Sequence, residues 1–316
     1  MKLIITANGF QKPGMKPVLD LARTYFDEVV ENPWGRRGTQ EEIRQIWDGA
    51  DAIICGAEAF DKPFIDAAPA ALNVLSHYGV GVDSIDIPAA KARGIIVFTT
   101  PGANADSVAD MALCLMLACA RQVVNHDAHC RLGEWKRFPS FELKGKRLGI
   151  LGFGAIGQGV ARRAKGFGME LLAYDPYFNE TAAQEIGVAQ AGFEEIIRSC
   201  DIISLHMPCN ADTRHIISRE ALKQMKPTAV LINTARGDLI DEDALVEALT
   251  GGTIAAAGLD VYAHEPIRES PLFGLSNVTL MPHCSANTTE AARNMGFMAV
   301  ENAHRALCGL DDAHIL

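Results

Sequence analysis

"LGILGFGAIGQGVARRA", residues 148–164, lies near the middle of a 316-residue chain. Its first four residues read as a buried strand, and the stretch from Ala155 reads as a helix. Between them Gly152, Gly154 and Gly157 spell G-x-G-x-x-G. Glycines at this spacing also occur in ordinary turns, so the motif alone is weak. Held between a strand and a helix, it becomes a dinucleotide-binding fingerprint. Gly152 permits the tight turn, Gly154 lets a pyrophosphate approach the backbone, and Gly157 allows close helix–strand packing. The N–H groups of Ala155 and Ile156 then point from the helix N-terminus at the phosphates. Asp175, ending the next strand "ELLAYD", can accept from both ribose hydroxyls and would repel a 2′-phosphate. NAD is therefore expected over NADP.

Downstream, "MELLAYD", "DIISLH", "AVLINTA", "AAAGLD" and "VTLMPH" join "RLGILG" as strands with helices between them. Six strands fit one doubly wound Rossmann-type sheet. Upstream, "KLIITA", "AIICG", "NVLSHYG" and "IIVFTT" read as strands alternating with amphipathic helices such as "EEIRQIWDGA". That alternation predicts a second parallel sheet covered on both faces. Between the two series runs "ADSVADMALCLMLACARQVV", Ala105–Val124, apolar around nearly its whole circumference. Such a helix must be buried, in the protein or against a second copy. "LGEWKRFPSFELKGK" reads as a connector, and a last long helix follows His283.

The composition, 48% hydrophobic and 22% charged, is that of a globular protein, and the length suggests two domains. A formal net charge of −10 argues against nucleic acid or an anionic membrane as partner, though not against a small anion in a cleft. No apolar run reaches the ~18 residues of a spanning helix, and "MKLIITANGF" reads as a strand, not a signal peptide. The eight cysteines are scattered without a C-x-x-C pair, so a reducing, cytoplasmic location is expected and no metal site.

Three stretches at late strand ends carry chemistry: "LINTARGDLID" with Arg236, "GLDVYAHEP" with Asp260 and Glu265, and "LMPHCSANT" with His283. Reducing a 2-oxo acid requires a guanidinium to hold the carboxylate and polarise the carbonyl. It also requires an acid near neutral pH, and a carboxylate behind that acid. Arg236, His283 and Glu265 supply these groups. Arg236 could instead pair with Asp238 or Asp241, Glu265 could be a solvated loop residue, and His283 a satisfied helix-flanking histidine. All three standing at strand ends behind a nucleotide fold favours the joint reading.

With "YGVGVDSID", "TTPGANADSVAD", "ELKGKRLGILGFGAIG", "NTARGDLID", "GLDVYAHEP" and "MPHCSANT" in this order, the sequence resembles the D-isomer-specific 2-hydroxyacid dehydrogenases over essentially its whole length. The resemblance implies an α/β fold in which a Rossmann-type NAD domain, residues 100–284, is inserted into a split flavodoxin-like substrate domain, residues 1–99 and 285–316. It implies an active site between the domains, with Arg236, Glu265 and His283 as the catalytic residues. Asp260 would take the nicotinamide carboxamide, and the N–H groups of Val80 and Gly81 the substrate carboxylate, beside Arg236 and His283. His206, Pro208, Thr213, Thr234 and Ala235 would line the NAD groove. A small anionic 2-oxo or 2-hydroxy acid is the implied partner, with homodimer formation through the Ala105–Val124 region. Two departures bear on specificity: Ala155 replaces a frequent arginine, and His77 stands where many relatives carry Arg or Lys, which argues against a phosphorylated substrate. The chain stops at "DDAHIL", without the regulatory domain of longer phosphoglycerate enzymes. An NAD(H)-sensing corepressor on the same fold is the competing expectation.

Overall fold

The computed structural model describes residues 1–310; the "DDAHIL" tail lies outside the described residues. Residues 1–104 together with the segment from Asn287 make one compact unit, and Ala105–Ala286 make a second.

The first unit carries β1 (Lys2–Ile5), β2 (Glu28–Glu31), β3 (Ala52–Cys55), β4 (Val74–His77) and β5 (Ile96–Phe98). All pair in parallel in the order β2-β1-β3-β4-β5. β1 shows why its sequence is a continuous apolar run. Leu3 and Ile5 face a core that includes Ala292, Ala299 and Val300, while Ile4 faces Ile53, Phe64 and Leu75 on the other side. A sheet covered on both faces needs apolar residues at every position. The helix Thr289–Leu307 supplies the first of these covers. β2 was not legible in the sequence: "EVVE" is short, acidic at both ends and only half-buried, as an edge strand is.

The second unit carries β6 (Arg147–Leu151), β7 (Glu170–Tyr174), β8 (Ala189–Gln190), β9 (Ile202–Leu205), β10 (Val230–Asn233), β11 (Ala256–Leu259) and β12 (Val278–Leu280). Their order is β12-β11-β10-β9-β6-β7-β8, again all parallel. Crossing from β6 outward on both sides gives the Rossmann arrangement, with β8 as a two-residue addition that the sequence did not signal.

The unit boundaries fall a few residues from those read in the sequence. Residues 100–104 stay with the first unit, because Thr100 N–H donates to Gly79 O (2.9 Å) and Ala103 O accepts from Asn294 Nδ2 (3.4 Å). Ser285 stays with the second, because its N–H donates to Asp260 Oδ2 (2.8 Å).

The long apolar helix is shorter than its pattern suggests. It runs Ala105–Arg121 and breaks at Gln122, whose φ of 53° is left-handed; a second helix, Val123–Arg131, leaves at 63°. Its first part packs among Leu148, Ile150, Val160, Val230 and Ile232, which accounts for its apolarity. Among the described residues no single helix is long and apolar enough to cross a membrane.

Candidate active site

In a parallel sheet all strands end on one edge, and the loops there collect the second unit's candidate residues. Gly152 follows β6 with φ +99°, and an added Cβ would lie 2.6 Å from the backbone of His206 and Met207. The turn between β6 and the helix Ala155–Gly166 therefore requires glycine. At Gly154 nothing lies within 4 Å of an added Cβ, so the turn opens onto a cradle rather than onto protein. The helix has no side-chain cap, and the N–H groups of Ala155 and Ile156 find no acceptor among the described residues. Asp175, just past β7, accepts from Phe153 N–H (2.7 Å) and Tyr177 N–H (2.8 Å). It thus fixes the glycine turn.

On this edge two further buried polar atoms, His206 Nδ1 and Thr234 Oγ1, find no partner among the described residues. Buried groups left unpaired are rare and ask for a ligand. The His206 ring is held by Ser204 Oγ at 2.8 Å, and burial pushes its pKa down to about 3, so the ring is neutral. An open cradle, unsatisfied helix N–H groups and two orphaned atoms on the same edge fit a dinucleotide. Thr213 is occupied differently. Its hydroxyl donates to Pro208 O (2.7 Å) and accepts from Asn210 N–H (2.8 Å), closing the turn at the groove's rim.

Arg236 and Ala235 follow β10 in a turn pinned by buried Asn233. The Asn233 amide accepts from Ala235 N–H (3.0 Å) and donates to Arg236 O (2.7 Å). Gly237 comes so close to the next loop that a Cβ would lie 1.9 Å from Tyr262 C. That contact seats the arginine turn against the loop carrying Glu265. Asp238 pairs with Arg214 (2.7 Å) and Asp241 caps the helix Glu242–Thr250.

Glu265 Oε1 accepts from Tyr262 N–H (3.0 Å), and Oε2 lies 2.6 Å from His283 Nδ1. Burial raises the Glu265 pKa, but the His283 and Tyr262 hydrogen bonds and the Arg236 charge outweigh it, and the net shift is downward. The hydrogen bond to Glu265 raises the His283 pKa above its ordinary value, against burial and the Arg236 charge. His283 itself has φ 51°, an uncommon conformation for a side chain with a Cβ. Asp260 holds it there. Fully buried, this carboxylate accepts from the N–H groups of Cys284 (2.8 Å) and Ser285 (2.8 Å) and from the Ser285 hydroxyl. Sequence reading gave Asp260 to the cofactor and did not foresee this anchoring of the histidine loop. Ser285, two residues past the histidine, was the available signal.

In the first unit, the loop after β4 exposes Val80, and neither Val80 N–H nor Gly81 N–H has an acceptor among the described residues. His77, by contrast, is buried, with Nδ1 3.9 Å from Cys55 Sγ.

Residues 113–285 match the NAD binding domain of the D-isomer specific 2-hydroxyacid dehydrogenases. The chain is 44% identical over 272 residues to a glyoxylate reductase of Thermococcus litoralis, covering 83% of this chain and 81% of that protein. It is 40% identical over 285 residues to a D-3-phosphoglycerate dehydrogenase of Mycobacterium tuberculosis, covering 89% of this chain but only 54% of that longer protein. Among solved structures, the TT0316 protein from Thermus thermophilus superposes with a TM-score of 0.87 at 36% identity, with 100% of both chains covered.

Proposed function

Since the chain belongs to the D-isomer specific 2-hydroxyacid dehydrogenase family, an NAD-dependent oxidoreductase interconverting D-2-hydroxy acids and 2-oxo acids, we propose how its residues divide that reaction. Arg236 holds the substrate carboxylate and polarises the C2 carbonyl with its planar fork of donors. Val80 and Gly81, in the first unit, offer backbone N–H groups suited to a carboxylate. NADH, when bound, would supply the hydride that C2 receives. His283 delivers the proton to the carbonyl oxygen from Nε2, because Glu265 occupies Nδ1. Glu265 fixes that tautomer and stabilises the imidazolium. Gly152, Gly154, Ala155, Ile156 and Gly157 cradle the pyrophosphate, Asp175 takes the ribose hydroxyls, and His206 and Thr234 offer their unpaired atoms to the cofactor. In the reverse direction neutral His283 accepts the hydroxyl proton.

The 2.6 Å His283–Glu265 pair behind the glycine cradle is the observation that carries this reading. Phosphoglycerate-type and hydroxypyruvate- or glyoxylate-type acids are the leading substrates, supported by the similarity to both glyoxylate reductase and D-3-phosphoglycerate dehydrogenase. Sulfolactate-like acids follow. The scattered cysteines support a cytoplasmic location. The test is oxidation of NADH and of NADPH by the purified protein with a panel of 2-oxo acids. Turnover of at least one acid with NADH preferred is expected. No turnover across the panel would return the corepressor-like alternative, and equal use of both cofactors would remove Asp175 as the discriminator.

A further inference from the structure

The loop after β1 carries a cation that the reaction above does not use. Lys12 is half-buried, and the only hydrogen-bond partner of its ammonium among the described residues is the neutral Asn287 Oδ1 at 2.5 Å. No carboxylate of the described residues lies within ion-pair distance of it, in a chain where acids outnumber Lys and Arg by 39 to 29. Burial pushes its pKa down, and no neighbouring acid offsets this. Glu58, the acid in the loop after β3, is buried and turned to Gly56 N–H (2.6 Å). A partly desolvated ammonium without an acid partner is costly unless something anionic reaches it.

Lys12 is also held in place, unlike a surface lysine. Before it, Phe10 is buried against the Tyr78 ring at 5.3 Å, and Gln11 Nε2 donates to Asn32 O (2.5 Å). After it, Met15 is buried, and Gly14 would place a Cβ 3.2 Å from Thr289 Cγ2. The Phe10–Tyr78 contact sets this loop directly against the one with the acceptor-free N–H groups of Val80 and Gly81. Both loops leave the carboxyl edge of the sheet, and β1 borders β3 at the point where strand order reverses, where doubly wound sheets gather ligands.

We propose that Lys12 is a specificity-determining residue: its ammonium pairs with a second anionic group on the substrate, beyond the carboxylate that the neighbouring Val80 and Gly81 N–H groups hold. The preferred substrate is then a 2-oxo or 2-hydroxy acid bearing a phosphate, sulfonate or second carboxylate. This rests on the reaction proposed above.

The test compares matched pairs with NADH: 3-sulfopyruvate with pyruvate, oxaloacetate with 2-oxobutyrate, and 3-phosphohydroxypyruvate with hydroxypyruvate. The pair with the largest ratio identifies the anion. For at least one pair the parent enzyme has the higher kcat/KM on the member with the extra anion. Lys12→Met lowers that value by roughly ten- to hundredfold, mainly through KM, and Lys12→Arg retains most of it. The member without the extra anion stays within twofold, which also reports that the variant is folded. If the parent prefers no acid with the extra anion, or Lys12→Met lowers both members equally, the inference falls while the reaction stands. If neither these six acids nor glyoxylate is reduced, the reaction itself fails and the inference with it.

Discussion

The contact between His283 Nδ1 and Glu265 Oε2 sets the pH range in which the proposed proton transfer runs. Its hydrogen bond, and the Glu265 charge behind it, lift the His283 pKa, so the imidazolium persists above the ordinary histidine range. Reduction needs the protonated ring and oxidation the neutral one. In Glu265→Gln the hydrogen bond survives without the charge, and the His283 pKa falls. The reduction profile should then lose activity at lower pH than in the parent, and the oxidation profile should extend to lower pH. pH–rate profiles in both directions check this, and an unmoved pair would mean that Glu265 is not electrostatically coupled to the histidine. The residues proposed for the chemistry were legible in the sequence because chemistry restricts their types: a fork, an acid and a carboxylate. Those that hold them were not. Asn233 pins the arginine turn and Asp260 anchors the histidine loop through backbone N–H groups, contacts that spacing along the chain does not encode.

Hydrophobic periodicity located the inner strands and helices, because buried segments must repeat every two or 3.6 residues. It missed β2 and β8, at edges where burial is partial and any short polar stretch can pair. It also ran the helix from Ala105 through Val124, whereas Gln122 turns left-handed and redirects the chain. That break has a consequence for assembly. The redirected segment exposes Val123 (53%), Val124 (52%), Leu132 (73%) and Trp135 (85%), apolar surface a partner would cover. We propose that a second copy covers it, forming a homodimer. Sedimentation should give twice 34.1 kDa for the parent, and Val124→Glu should shift the equilibrium toward monomer. A parent that sediments as a monomer at micromolar concentration would overturn this.

At the scale of the whole chain, two doubly wound units each gather loops at the carboxyl edge of a parallel sheet. The second brings the glycine cradle, Arg236, Glu265 and His283 to its edge; the first brings Val80, Gly81 and Lys12 to its own. Both sheets were readable from alternating strands and helices, but Lys12 was not singled out, since an unpaired ammonium is a property of its surroundings. Of everything proposed, the role of His283 as proton donor bears the most weight, and His283→Ala tests it directly. NADH binding, followed by fluorescence, should be largely retained, since the cradle and Asp175 are untouched. Turnover of the best 2-oxo acid should fall by about 10²–10⁴, the usual contribution of a general acid. Turnover within threefold of the parent, with NADH still bound, would contradict the assignment.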